Sequence, residues 1–317
     1  MNEKPPLFSI AYNLFKNYLN SKGLGVVATQ FVTKVLSHRL PQRISWGELI
    51  LKEKLKDYPL KGKGVVVALL DTGIDFLHPD LVSNIYDLSS VVTGEKSPMD
   101  FNGHGTMVAG ILAASNNSFG VVGLASQSKI YSIKVANYAG NTHHKWLVAG
   151  IHTALDNNVD IIATSISLTQ DYTDVRKAIE RAVLNNVLVV AAAGNIPSNA
   201  VNYIPEYPAN YEGVLAVGAM DRDFKQTEFS APSALIAPGV DLYTTYKGGS
   251  YTIGTGTSLA QPFVSGIAAL VIAEFKLKAT PYTILSVIDE VTKTLSVFSP
   301  DKDMSQGGLN LVVGFAK

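Results

Sequence analysis

The chain has 317 residues, 47% of them hydrophobic, and its 26 Lys+Arg balance 26 Asp+Glu. That is enough for a sizeable core in one or two domains, and a neutral chain without a basic stripe interleaved with aromatics argues against nucleic acid as partner. The absence of cysteine excludes disulfides and thiol nucleophiles, and fits a cytosolic or a disulfide-free secreted protein equally.

The first twenty residues, "MNEKPPLFSIAYNLFKNYLN", show no clean basic, apolar, small-residue signal. The expectation is a cytoplasmic protein, although a removed leader would leave the same text. Phe8, Tyr12, Phe15 and Leu19 fall at helical spacing. A composition shift near residue 40 divides the chain into an N-terminal extension, 1–40, and one large domain, 41–317. From Val65 the text alternates. "VVVALL" (65–70), "KIYSIKVA" (129–136), "VDIIATSI" (159–166) and "VLVVAAA" (187–193) read as strands. Between them "GTMVAGILAAS" (105–115), "HKWLVAGIHTALDNN" (144–158) and "TDVRKAIERAVLNN" (173–186) read as helices. This alternation predicts an α/β fold with a predominantly parallel, twisted sheet covered by helices on both faces. The near-continuous apolar strands agree with burial on two sides. Beyond Gly213 the pattern is less regular until a long apolar helix after Ser258 and a further helix over "PYTILSVIDEVTKTL" (281–295). No apolar run reaches the roughly 20 residues needed for a membrane span.

Four stretches carry candidate chemistry. Asp71, in "ALLDTGID", ends an apolar strand at the sheet edge where ligands gather; a turn or capping aspartate is the plainer alternative. His104, in "NGHGTMVAG", lies between two glycines at a helix start, where it could equally be a cap or a buried structural histidine. Asn195, in "AAAGN", has an amide N–H able to bond a developing negative oxygen, or is simply a turn residue. Ser258, in "GTGTSLAQP", falls in the first turn of a helix, where free N–H groups favour negative charge; alone it reads as an N-cap. Together the four form the set that nucleophilic acyl transfer needs. A serine hydroxyl requires a base, the base an orienting carboxylate, and the attacked carbonyl a donor beside it.

The motifs "DTGID", "NGHGTMVAG" and "GTSLAQP", in the order Asp, His, Ser, resemble those of the subtilisin-like serine proteases, the subtilases. The resemblance runs from about Gln42 to the C-terminus. It implies a subtilisin-like fold and a serine endopeptidase with Ser258 as nucleophile, His104 as general base then acid, Asp71 as orienting carboxylate and Asn195 as oxyanion donor. It further implies that Ser165, Ile166, Ser167, Ala192 and Gly194 bind a polypeptide substrate. The family usually has histidine where Met107 and Phe263 stand and methionine at Leu259; these are packing positions. It usually has glycine at Ser167, so a differently shaped cleft is expected. Ile196 would make the pocket rim more apolar, and "EYPAN" implies a tight turn with a cis bond at Tyr207-Pro208. "SNNSFGVVG" (115–123) resembles the family's calcium loop, which implies Ca²⁺ held by Gln42, Asp80, Asn117 and the carbonyls of Ser115, Phe119 and Val121. Residues 1–40 are too few for the family's folding prodomain, and Leu40-Pro41 would be a poor site for self-cleavage. The leading expectation is a monomeric endopeptidase. Two alternatives stand beside it: a protease dedicated to removing leader peptides from small ribosomal peptides such as lantibiotic precursors, and an inactive subtilase-like binding module.

Overall fold

In a computed structural model of the chain, the structure describes residues 41–51, 53–200 and 206–296. The expected helical spacing of Phe8 to Leu19, and the extension 1–40 as a whole, lie outside the described residues. The described chain begins with a short helix α1 (Trp46–Leu51) and reaches the first strand, β1 (Val66–Asp71). There follow β2 (Ile85–Ser90), α2 (His104–Ala113), β3 (Lys129–Lys134), α3 (His144–Asp156), β4 (Ile161–Thr164), α4 (Thr173–Leu184) and β5 (Leu188–Ala192). The second half comprises β6 (Val214–Met220), β7 (Leu235–Pro238), β8 (Leu242–Tyr246), β9 (Ser250–Gly254), α5 (Thr257–Leu277) and α6 (Ile284–Leu295).

Seven strands form one sheet in the order β2-β3-β1-β4-β5-β6-β7, every pairing parallel. Alternation along β1 feeds two cores. Val67 and Leu69 pack with α2, α5 and α6, whereas Ala68 and Leu70 pack with Leu147 and Ile151 of α3 and Ala178 and Ile179 of α4. Burial on both faces is why these strands carry no polar alternation. From β1 the chain runs to the edge strand β2 and returns to β3 on one side, then crosses to the other side for β4 and β5. The reversal between β1 and β4 makes a crevice at their carboxyl ends, the place where open α/β sheets bind ligands.

Helix α5 has the length and mean hydropathy of a membrane-crossing helix, the one such helix among the described residues. Every residue from Leu259 to Ala273 is nevertheless buried inside the fold. It is therefore a core helix, and burying a side chain the size of Phe263 in it contributes roughly 1.5–3 kcal/mol. The packing positions behave as expected: Phe263 and Leu259 are buried, and Met107 packs at the core margin. Gly47 gives Phe263 its space, since a Cβ there would lie 2.5 Å from the ring.

The expected strand at 159–166 is shorter, Ile161–Thr164, because the chain after Thr164 leaves the sheet as an extended segment. The irregular second half resolves into β6, β7 and an antiparallel hairpin, β8–β9. That hairpin seats on α2, where Thr244 Oγ1 and Thr245 Oγ1 donate to the carbonyls of Met107 (2.8 Å) and Thr106 (2.6 Å). The Tyr207-Pro208 bond is cis.

Candidate active site

Three of the four candidate residues stand where strands end or helices begin around the β1/β4 crevice. Asp71 is the last residue of β1 and is fully buried. His104 is the first residue of α2. Gly105 allows that helix to approach the strand end, because a Cβ there would lie 2.1 Å from the Gly73 carbonyl and 3.1 Å from Asp71. The result is a hydrogen bond of 2.7 Å between His104 Nδ1 and Asp71 Oδ1. The same carboxylate oxygen accepts Thr72 N at 2.7 Å, while Oδ2 has no partner among the described residues. With Nδ1–H committed to a carboxylate, Nε2 is the nitrogen left to take a proton.

A second Asp–His pair helps to define what is special about the first. His144 Nδ1 also lies 2.7 Å from a carboxylate, Asp174 Oδ2, but that aspartate side chain is 46% exposed, against 0% for Asp71. Water reaches the one carboxylate and not the other. For His104, burial is the strongest influence and lowers its pKa. The Asp71 charge, the Asp71 hydrogen bond and the charge of Asp100 together outweigh burial and hold the imidazole above its ordinary 6.5.

Asp100 escaped the sequence reading. It is buried and receives Thr72 Oγ1 (2.9 Å), Asn102 N (3.0 Å), Gly103 N (2.7 Å), Thr106 N (2.9 Å) and Thr106 Oγ1 (2.7 Å). It ties the start of α2 to Thr72 and so fixes the histidine relative to the aspartate. The signal was available: an aspartate two residues before Asn-Gly at a helix start is a local capping pattern. Lys134 was missed as well. It is fully buried at the end of β3, donates to the Thr72 carbonyl at 2.7 Å and pairs with Glu95 at 3.3 Å.

Ser258 is the second residue of α5, and the N-cap is Gly256, so the capping alternative for this serine does not hold. Its position depends on Pro262. A proline four residues on has no N–H to give the Ser258 carbonyl. Ser165 supplies the missing donor, its Oγ lying 3.0 Å from that carbonyl and 3.2 Å from Gln261 Oε1. Gln261 in turn reaches Val190 O of β5 at 3.3 Å. Ser165 also lines a cleft of about 270 Å³ with Thr72, Asn102, His104, Gly140, Ile166 and Ser167. The residue that holds the Ser258 carbonyl thus also lines the cleft onto which His104 opens. Among the described residues no hydrogen bond joins Ser258 Oγ to His104; such bonds are commonly long until substrate binds.

Asn195 follows Gly194 after β5 and is exposed. Its Oδ1 accepts Thr257 N at 3.1 Å. An amide oxygen pinned by a backbone N–H leaves the Nδ2 donors turned elsewhere, at the same helix end as the Ser258 N–H. Ser165, Ile166 and Ser167 line the His104 cleft; Ala192 and Gly194 are buried outside its lining.

The expected calcium ligands also meet. Ser115 O and Val121 O converge on Gln42 Nε2, at 3.0 and 3.3 Å. Asn117 Nδ2 donates to Asp80 Oδ1 (2.9 Å), and Asp80 Oδ2 accepts Val121 N (2.9 Å) and Tyr251 OH (2.8 Å). Isolated bridges join Pro41 to Phe119 and Arg43 to Val121. No cluster of three or more His, Asp or Glu forms among the described residues. The donor set is instead one carboxylate with amides and carbonyls, which suits a hard cation. An amide N–H sits where two carbonyls point, and half a turn of that amide would present oxygen in its place, so these residues fit the ion.

Residues 62–315 match the model of the subtilase family. The chain is 39% identical to Subtilisin DY of Bacillus licheniformis over 238 residues, covering 74% of this chain and 86% of that protein. It is 34% identical to Subtilisin E of Bacillus subtilis (strain 168) over 281 residues, 87% of this chain and 72% of that one. It is 39% identical to an intracellular serine protease of Paenibacillus polymyxa over 220 residues, 67% of each.

Proposed function

The chain belongs to the subtilase family and is a serine endopeptidase acting on polypeptides, and from that premise we propose that Ser258 is its nucleophile, His104 its base and Asp71 the carboxylate behind the base. The observation that carries this assignment is the 2.7 Å bond from His104 to the fully buried Asp71, set beside the cleft whose Ser165 holds the Ser258 carbonyl. Ser258 Oγ adds to the scissile carbonyl as His104 Nε2 takes its proton. Asp71 keeps the ring oriented and stabilises the imidazolium. The tetrahedral oxyanion is received by the Ser258 N–H and Asn195 Nδ2, preorganised donors of a kind whose single loss costs about 10²- to 10³-fold in kcat. His104 then protonates the departing amine, leaving an acyl-enzyme that water opens by the reverse proton path. Ser165, Ile166 and Ser167 pair with the substrate as an added strand, and Ala192 and Gly194 form the opposite wall. The relatives give no support to a role confined to leader removal.

This assignment fixes the sign of the pH dependence. Protonated His104 cannot accept the serine proton, so activity is lost as pH falls through its pKa. Because that pKa is raised, the acid limb of kcat/KM has its midpoint above 6.5, and labelling of Ser258 by a fluorophosphonate accelerates over the same range. Labelling elsewhere, or at a rate indifferent to pH between 5 and 9, would refute the pairing of this histidine with this serine.

We further propose that Gln42, Asp80, Asn117 and the carbonyls of Ser115, Phe119 and Val121 hold Ca²⁺ in a structural role. Binding to the folded state alone stabilises by about 2.7 kcal/mol at a hundredfold excess over Kd. Chelation of the inhibited enzyme at low salt is therefore expected to lower Tm by several degrees and added Ca²⁺ to restore it. A melting curve unmoved by either treatment removes the ion from this loop.

A further inference from the structure

One carboxylate beside the cleft has no part in this chemistry. Glu206 is half-buried and accepts Ser167 Oγ on its Oε2 at 2.5 Å. Its backbone is held on both sides. Leu168 and Tyr207 exchange hydrogen bonds of 2.8 Å in each direction, and the Glu206 carbonyl receives Asn210 N (3.2 Å) and Nδ2 (2.8 Å). Gly194 backs the side chain: a Cβ at that residue, whose φ is +104°, would lie 2.6 Å from Glu206 Cδ and 2.8 Å from each oxygen. The carboxylate therefore sits between two backbone segments. One, 165–167, lines the His104 cleft; the other ends on Asn195 beside the start of α5. These segments leave the carboxyl ends of β4 and β5, which are neighbours in the sheet. Among the described residues no lysine or arginine pairs with Glu206, and its Oε1 has no hydrogen-bond partner.

We infer that Glu206 makes this protease select Arg or Lys as the residue whose carbonyl is attacked. A peptide paired along 165–167 presents alternate side chains to the protein. The residue with its carbonyl between Ser258 and Asn195 points its side chain into the slot between the two segments, and at the side of that slot waits a carboxylate with one oxygen already oriented by Ser167. A guanidinium or ammonium group completes a charge-assisted pair there. An aliphatic side chain leaves the carboxylate desolvated without a partner, and an acidic one is repelled.

The inference rests on the proposed roles of Ser258 and His104, and the test separates the two. Paired peptides, identical except for Arg or Leu before the scissile bond, give a ratio of kcat/KM values that is independent of how much of a preparation is active. The ratio is expected to favour Arg by about 10- to 100-fold, to fall to near one in Glu206→Gln, and to remain partly in Glu206→Asp, which keeps the charge. Benzamidine should compete in the parent and lose its effect in Glu206→Gln. A parent enzyme that cleaves the Leu peptide as well as the Arg peptide, or a ratio unchanged in Glu206→Gln, overturns the inference while fluorophosphonate labelling at Ser258 leaves the catalytic assignment standing. Failure of that labelling overturns both.

Discussion

Alanine at position 258 is expected to lower kcat by about a millionfold, the scale of loss when the nucleophile of such a triad is removed, while Tm stays within about two degrees. The second half of that expectation is the diagnostic one. Ser258 Oγ makes no hydrogen bond among the described residues, and the interactions that locate the residue belong to its backbone: the carbonyl to Ser165 and the N–H at the helix start. Alanine keeps both and is a good helix former, so the change belongs with substitutions worth less than about 0.5 kcal/mol. Turnover of a peptide substrate and a melting curve on the same sample decide the matter. Retained activity, or a large fall in Tm with the rate intact, would make Ser258 a structural residue.

Asp71→Asn is expected to cost about 10⁴-fold in kcat at neutral pH. The structure shows why neither orientation of the amide can replace the carboxylate. Asp71 Oδ1 accepts both Thr72 N and His104 Nδ1, and Oδ2 is buried without a partner. If the asparagine oxygen takes over the Oδ1 contacts, its NH₂ is buried with nothing to bond, and the charge that stabilises imidazolium is gone. If the amide turns, NH₂ faces the Thr72 N–H and forces the wrong proton arrangement on His104. Asp71 is also the chief influence raising the histidine pKa against burial, so the acid limb of the residual activity should shift to lower pH. A variant within tenfold of the parent, with an unmoved acid limb, would show that Asp71 does not act through His104.

How much of this was legible in the sequence depended on distance along the chain. Strands β1, β3, β4 and β5 and helices α2 to α4 were visible because burial on two faces leaves continuous apolar runs between amphipathic segments. The contact of Asp71 with His104 could be expected from motif order. The β8–β9 hairpin was not foreseen, since β9 is half-exposed and neither strand carries a clean alternation. Nor was β2, whose residues beyond Ile85 are only partly buried. Ser165 appeared as part of a substrate wall, yet its bond to the Ser258 carbonyl spans 93 positions and depends on a proline four residues further on. Glu206 read as the first letter of a turn. Its neighbours Ser167 and Gly194 come together only when β4 and β5 lie side by side, and no local pattern encodes that meeting.

The proline inside α5 has a mechanical consequence. By surrendering one rung of its own helix, the chain hands the alignment of Ser258, the proposed nucleophile, to Ser165, a residue of the very edge proposed to receive the peptide. Peptide and serine would then be gauged from one common reference point, so that a shift of Ser165 carries both together and leaves their separation unchanged.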